Sequence, residues 1–133
     1  DTIQASLLIS SMNRINEIKA KRDQIASLYD EAFSDILGIQ KVNKGEVHGR
    51  YIYIMACKKR DGLRKYLLNN GVENKVFYSP LVCDAKVYRN SLNKINLPVA
   101  RRLLNQSLSI PLHEKMTIKQ TKYVIGTIHS FYN

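Results

Sequence analysis

The stretch DTIQASLLISSMNRINEIKAKRDQIASLYDEAFSDILG, residues 1–38, decides the fold. Apolar residues recur along it at steps of three and four, which places them on one face of a helix. These residues are Leu8, Met12, Ile15, Ile18, Ile25, Leu28, Tyr29, Ala32, Phe33 and Ile36. No proline or glycine interrupts the run, and Gly38 suits a left-handed C-cap. The pattern predicts one amphipathic helix over residues 2 to about 37.

The length of this helix sets a second expectation. About 35 residues at ~1.5 Å each make a rod of roughly 50 Å, whereas a compact chain of 133 residues has a diameter nearer ~35 Å. The helix should therefore extend beyond its own domain. The apolar side chains of Ile3, Leu7, Leu8 and Ile9 lie in its first half. We expect another domain, a second subunit or both to cover them.

Short strands and helices follow one another after residue 38. The predicted strands are 47–57, 72–78 and 108–110, and the predicted helices are 61–70, 98–105 and one that begins at residue 117, with a further helical turn near 85–88. We predict an α+β fold, in which a long connecting helix (residues 1–38) precedes a small C-terminal domain (residues 39–133). That domain has a small, mainly antiparallel three-stranded sheet with helices on one side.

Local signals support several of these boundaries. Asp61 is the expected N-cap of the helix that Gly71 ends. Thr117 and Gln120 have the spacing of a capping box. The side chains that these two helices are expected to bury are Leu63, Tyr66, Leu67, Ile118, Val124, Ile125, Ile128 and Phe131.

Composition limits the class of protein. The chain is 44% hydrophobic and 24% charged, which is ordinary for a globular domain. No apolar run approaches the ~20 residues that cross a bilayer, and the N-terminus lacks a secretory signal. We therefore expect no membrane association and a cytoplasmic location, with Cys57 and Cys83 as reduced thiols. The start at Asp1 rather than at a methionine suggests a processed or truncated product.

The net charge of +10 leaves one alternative function open. A basic module could bind nucleic acid or an acidic partner. The basic residues are dispersed along the chain and match no named nucleic-acid motif, which disfavours that interpretation. A dimerisation fragment, which would pair through the apolar first half of the long helix, is a further alternative.

A self-contained active site is not evident from the residues. The six glycines are isolated, so there is no phosphate loop, and no Gly-x-Ser-x-Gly elbow or paired carboxylates occur. The three histidines are too far apart in sequence to suggest a metal site. Cys83 is interpreted as a buried filler rather than a nucleophile, and His113 as a loop histidine.

Two further residue types have a structural and a functional interpretation. Tyr51 and Tyr53 share one face of their predicted strand, where they fill a core or stack on a ring, and the core is the better interpretation. Lys75 could meet a phosphate, but an exposed lysine at a strand edge is more common.

Five ordered segments resemble the DegT/DnrJ/StrS family of pyridoxal-phosphate-dependent sugar aminotransferases. Asp1 to Ala5 resembles the Asp-x-x-Gln-Ala segment that opens the family's long helix. Residues 51–55 are similar to the family's His-Leu-Tyr-Val-Ile strand, and residues 60–72 to its next helix and turn. Residues 97–102 are similar to its Leu-Pro-Val-Ala helix start, and residues 107–125 to its closing strand and helix.

This resemblance implies the small C-terminal domain of a type I pyridoxal phosphate (PLP) enzyme. Such enzymes transfer an amino group, typically from glutamate, to a keto group on a nucleotide-linked sugar. The family's cofactor residues lie upstream of the matching region, so we carry over no catalytic or cofactor-binding residue and expect no cofactor on this chain. The implied partners are the large PLP domain, a second subunit that pairs through the long helix, and a nucleotide-sugar substrate.

The chain departs from the family where substrate is contacted. Many members read His-Tyr-Pro-x-Pro-Leu-His after the second strand, and this chain has Phe77 at the first histidine position. The second falls on Val82 or Cys83. On this resemblance, the residues expected to meet substrate are Phe77, Tyr78 and Ser79.

Overall fold

The computed structural model describes residues 1–88, 91 and 95–133. The helices in this part of the chain are α1 (Thr2–Met12), α2 (Ile15–Phe33), α3 (Arg60–Asn69), α4 (Pro98–Gln106) and α5 (Ile118–Tyr132). The strands are β1 (Gly38–Ile39), β2 (Tyr53–Ala56) and β3 (Ser107–Ile110), and a single 3₁₀ turn spans Val82–Asp84. The α+β fold predicted from the sequence is confirmed.

The predicted single N-terminal helix is wrong, because the chain forms two helices. Arg14 has φ −107° and ψ 3°, and its amide donates to the carbonyl of Ser11 instead of continuing the i→i−4 ladder. One turn earlier, the Ser11 hydroxyl donates to the Leu7 carbonyl at 3.0 Å, a contact that tends to bend helices. Serine and asparagine are also weak helix formers. The periodicity of the apolar residues is unaffected by these local effects, so it does not predict the break.

The C-terminal end of this region also differs from the prediction. α2 ends at Phe33, and Gly38 pairs with Ala56 in β1 rather than forming a left-handed C-cap. Leu37 folds back so that its amide donates to the Phe33 carbonyl at 3.0 Å, and its side chain is buried. The helix therefore ends four residues earlier than the position of Gly38 indicated.

The two helices have different surroundings. α2 buries Ile25, Ala26, Tyr29 and Phe33, whereas α1 buries no side chain. The apolar side chains of α1 are largely exposed, for example Ile3 at 73%. The expectation that the first half of this region lacks a cover within its own domain is confirmed.

The sheet is three-stranded and antiparallel, with the order β1-β2-β3. Its membership differs from the prediction, because residues 72–78 contribute only an isolated bridge between Lys75 and Ser109. The Asn74 side chain donates to the carbonyls of Arg64 and Val72 at 3.2 Å. These bonds join the Asn74 side chain to α3 and to the chain two residues earlier. The remaining strand of the sheet is β1 instead. Its two residues are too few to show the alternation that predicts a strand.

The core lies between one face of the sheet and three helices. Tyr53 and Met55 of β2 share this core with residues of α2, α3 and α5. Tyr51 is 75% exposed because β2 begins only at Tyr53. The prediction that both tyrosines fill a core is therefore right for Tyr53 and wrong for Tyr51.

The local signals had mixed outcomes. The capping box of Thr117 and Gln120 is confirmed, and so is the end of α3 before Gly71, which has φ 70°. Asp61 is not an N-cap, since α3 begins at Arg60 and the Asp61 carboxylate pairs with the Arg60 side chain instead. Of the side chains expected to be buried, Ile118 is 38% exposed. Those of Tyr66, Ile125 and Phe131 are half-buried.

α4 follows the prediction closely, whereas the turn near residues 85–88 does not. Proline opens α4 in its first turn, as its fixed φ favours, and the helix runs directly into β3. The predicted helical turn is replaced by the 3₁₀ turn at Val82–Asp84 and by a hydrogen-bonded turn, in which the Tyr88 amide donates to the Ala85 carbonyl.

Candidate functional site

The predicted substrate residues lie in a stretch from Lys75 to Asp84, which we call the 75–84 segment. At its first residue the segment is joined to the sheet, because Lys75 and Ser109 exchange two backbone hydrogen bonds of 3.0 and 2.8 Å. Ser109 belongs to β3 and is buried. The start of the segment is therefore fixed to the edge of the core.

Phe77, Tyr78 and Ser79 lie together on the surface. The ring centroids of Phe77 and Tyr78 are 5.3 Å apart, and Tyr78 is 71% exposed. The Lys75 ammonium lies 5.0 Å from the centroid of the Phe77 ring, a cation–π distance. Lys75 is exposed at the sheet edge, as expected. The group offers stacking surfaces, two hydroxyls and a positive charge to a ligand, and substrate contact by these residues stays a prediction.

An ion pair joins the far end of the segment to α4. Arg101 donates from both terminal nitrogens to the two carboxylate oxygens of Asp84, at 2.8 and 2.9 Å. This fork geometry is the strongest form of an arginine–carboxylate contact. Sequence reasoning missed the pair, because its members are 17 residues apart on different elements and belong to no motif.

Cys83 lies beside this ion pair. It is free and 7% exposed, and its sulfur is 3.8 Å from an Asp84 oxygen and 3.9 Å from Arg101 Nη2. Its burial agrees with the interpretation as a filler. The other thiol, Cys57, is also buried, and burial raises its pKa to about 11.

His113 lies in the loop between β3 and α5, as expected. It lines an open groove of about 620 Å³ between that loop, the turn at Gly71 and α5. Val72, Met116 and Val124 form apolar parts of the groove. A smaller cleft that also includes His113 continues from it towards Lys75. Phe77, Tyr78 and Ser79 line neither cavity.

A polar cluster joins α2 to the chain before β2. The Tyr53 hydroxyl donates to Asp30 at 2.8 Å, and Arg50 donates to the other oxygen of the same carboxylate at 3.2 Å. Arg50 has φ 46°, in the left-handed region, and its amide donates to His48 Nδ1 at 2.9 Å. These contacts hold the chain ahead of β2 against the core, which is a structural role.

The lysines do not fit the PLP cofactor that the family resemblance implies. PLP is held by a lysine imine, with a carboxylate at its pyridine nitrogen and donors for its phosphate. Every lysine in the described part of the chain is exposed except Lys19, which is half-buried and pairs with Asp23. None of them offers a buried amine in a cavity, so we assign no cofactor role to this chain.

Within residues 1–88, 91 and 95–133, none of the helices combines the length and the apolar character that crossing a bilayer requires.

Known proteins are similar to this chain in sequence and in fold. The UDP-4-amino-4,6-dideoxy-N-acetyl-beta-L-altrosamine transaminase of Campylobacter jejuni is 27% identical over 96% of this chain and 36% of its own length. An aminotransferase structure from Brucella abortus superposes with a TM-score of 0.91 and 28% identity, over 98% of this chain and 35% of that one. A Streptococcus pneumoniae structure in a PLP form shares the fold, with a TM-score of 0.86 and 23% identity over 98% of this chain and 35% of that one.

The chain thus spans just over a third of the length of this Campylobacter jejuni transaminase. The sequence model of one family, the DegT/DnrJ/EryC1/StrS aminotransferases, matches residues 1–129. Because that match extends over nearly all of the 133 residues, this protein belongs to the DegT/DnrJ/EryC1/StrS aminotransferase family.

Proposed function

We propose that this chain is the C-terminal portion of a PLP-dependent aminotransferase that converts a keto sugar nucleotide into an amino sugar nucleotide. The amino donor is glutamate, and PLP supplies the chemistry of amino transfer. The observation that carries this proposal is the family match over residues 1–129, combined with coverage of only 36% of a nucleotide-sugar transaminase.

The proposed function divides the work between two parts of one protein. The cofactor lysine lies in a large domain outside these 133 residues, so the chain alone is inactive and binds no PLP. The exposure of nearly all described lysines supports this division. The chain contributes a substrate-facing surface at Phe77, Tyr78 and Ser79, where two aromatic rings and two hydroxyls can meet the sugar nucleotide. Its domains are the connecting helical region, residues 1–38, and the small domain, residues 39–133.

The exposed apolar side chains of α1 indicate which surface of the chain its partners cover. Ile3, Leu7, Leu8 and Ile9 are 64–73% exposed, and burial of this apolar surface would be favourable. We propose that the large domain covers part of α1 and that a second subunit pairs through the same helical region, in a cytoplasmic homodimer. Pairing alone, without amino transfer, is the alternative that this surface favours.

The alternative that this chain is a basic module that binds nucleic acid has less support than amino transfer or pairing. Arg22, Arg50, Arg60 and Arg101 each pair with a carboxylate of the same chain. Their charges are therefore partly compensated within the fold, which reduces the positive surface available to phosphates. Binding to a generic DNA duplex that falls steeply with salt would support this alternative, and absence of binding at low salt would eliminate it.

Amino transfer by the protein from its native source tests the proposal. We expect PLP and glutamate to support amination of at least one member of a panel of keto sugar nucleotides, with 2-oxoglutarate released in equal amount. The 133-residue chain alone should give no product under the same conditions. Absence of amination across the panel by the PLP-loaded native protein, or turnover by the isolated chain, would contradict the proposed function.

A further inference from the structure

The 75–84 segment is attached to the fold at both ends and exposed in the middle. At Lys75 the attachment is a pair of backbone hydrogen bonds to Ser109, which no side-chain substitution removes directly. At Asp84 the attachment includes the side-chain pair with Arg101. Between these points Tyr78 and Ser79 are exposed. The position of the exposed residues therefore depends on two fixed points, and the second of them includes the ion pair of Asp84 with Arg101.

Arg101 is well placed to act as a fixed point, because α4 is itself held to the core. The Arg60 guanidinium of α3 donates from Nη1 to the carbonyls of Leu104 and Ser107, both at 3.2 Å. Just beyond Ser107, β3 contains Leu108, which is fully buried. A continuous set of contacts thus leads from the core through α4 to Arg101.

The geometry of the pair also determines what Arg101 can do. Both terminal nitrogens of its guanidinium face the Asp84 carboxylate, and Nη2 is also near the Cys83 sulfur. The pair of donors that forms the bidentate fork is therefore engaged by the segment. This arrangement suits a residue that holds the segment in place rather than one that binds substrate.

We infer that Arg101 is a positioning residue, which acts through Asp84 to hold Phe77, Tyr78 and Ser79 where the sugar nucleotide binds. This inference rests on the proposed function, because the position of these residues matters only when substrate meets them. The two side chains are 46% and 37% exposed, and exposed pairs contribute little to global stability. Loss of the pair should therefore loosen the segment without unfolding the domain.

The test measures the segment and the reaction separately, in the PLP-loaded native protein. The variant is Arg101→Met, which keeps an unbranched stem but removes the fork, and the matched control is Arg102→Met, the next residue of the same helix, also exposed. We expect amide exchange in residues 77–84 to become about fivefold faster in Arg101→Met, with exchange in α2 and α5 unchanged. KM for the sugar nucleotide should rise about fivefold, with kcat at saturation within about twofold.

Two further variants distinguish positioning from a general structural effect. Arg101→Lys keeps the charge but not the bidentate contact, so it should give intermediate exchange and an intermediate KM. The reciprocal pair Asp84→Arg with Arg101→Asp should restore both values in part. Recovery in the double variant, but not in either single one, supports positioning through this contact.

The outcomes separate failure of this inference from failure of the proposed function. Unchanged exchange in residues 77–84 overturns the inference, whatever the enzyme does. Faster exchange with unchanged KM also overturns it, because the segment then has no role in substrate binding, while amino transfer itself stands. If the native protein aminates no sugar nucleotide, the proposed function fails, and the inference that depends on it fails with it.

Discussion

The hydroxyl of Tyr53 donates a 2.8 Å hydrogen bond to the carboxylate of Asp30, which joins the first residue of β2 to α2. Tyr53 is 5% exposed, and its ring centroid lies 5.0 Å from that of Tyr29. Burial, reinforced by the contact with Asp30, raises the pKa of Tyr53 far above its ordinary value. The hydroxyl therefore remains a proton donor across the accessible pH range and fixes the strand to the helix.

Replacing Tyr53 with phenylalanine removes this bond and leaves the ring. We expect the free energy of unfolding to fall by about 2 kcal/mol, as for a hydrogen bond to a charged group, measured by urea denaturation. Tyr51→Phe is the control, because Tyr51 is 75% exposed and its substitution should be neutral. Equal stability of the two variants would show that the bond to Asp30 does not hold β2.

Leu63 tests the core beneath α3. Its side chain is fully buried, so Leu63→Ala should lower the free energy of unfolding by about 2–5 kcal/mol through lost burial and a residual cavity. Leu68 lies in the same helix but is 49% exposed, and Leu68→Ala should cost much less. Comparable losses in chemical denaturation would mean that α3 does not pack through the face that contains Leu63.

The sequence predicts best where a few consecutive residues determine the structure. The capping box at Thr117 and Gln120 and the end of α3 at Gly71 depend on local chemistry, and both predictions are confirmed. The break between α1 and α2 is different, because it lies in the backbone at Arg14, where φ is −107° and the amide donates to the Ser11 carbonyl. Apolar periodicity continues through such a break and does not reveal it.

The candidate site shows the same division. Phe77, Tyr78 and Ser79 were identified through family resemblance, and the structure places them together on the surface. The pair of Arg101 and Asp84 was not predictable, because it depends on how α4 packs beside the 75–84 segment. Long-range contacts between exposed charged residues leave no periodic or motif signal in one sequence.

The Cys57 thiol makes the free energy of unfolding depend on pH in the alkaline range. Burial raises its pKa from 9.0 to about 11. A group whose pKa is raised on folding adds stability that is present below its unfolded pKa and is lost as pH rises through its folded pKa. The free energy of unfolding should therefore decline between about pH 9 and pH 11, over the interval of this shift.

Cys57→Ala isolates that contribution. The variant should be less stable at every pH because the side chain is smaller, but its free energy of unfolding should decline less steeply above pH 9. Urea denaturation at several pH values, with Cys83→Ala as the matched thiol control, measures the two slopes. Parallel curves for wild type and Cys57→Ala would show that the Cys57 thiol does not titrate as its burial requires.

The exposed apolar surface of α1 should make the isolated chain self-associate. Leu7, Leu8 and Ile9 are 64–65% exposed, and their joint replacement by glutamine keeps reasonable helix propensity. We expect this triple variant to weaken self-association at least about tenfold in sedimentation equilibrium. Val47→Gln, at a residue 77% exposed elsewhere, is the control. A wild-type chain that stays monomeric at high concentration would count against pairing through α1.

The position of the cofactor lysine is the most direct measurement. The native protein is loaded with PLP, reduced with borohydride and digested, and the phosphopyridoxyl-lysine is located by peptide mass spectrometry. We predict one stoichiometric adduct on a peptide outside residues 1–133, and only substoichiometric labelling of the exposed lysines within them. A stoichiometric adduct on a single lysine of these 133 residues, or none anywhere in the protein, would contradict the assignment of this chain to the part of a PLP aminotransferase that lacks the cofactor lysine.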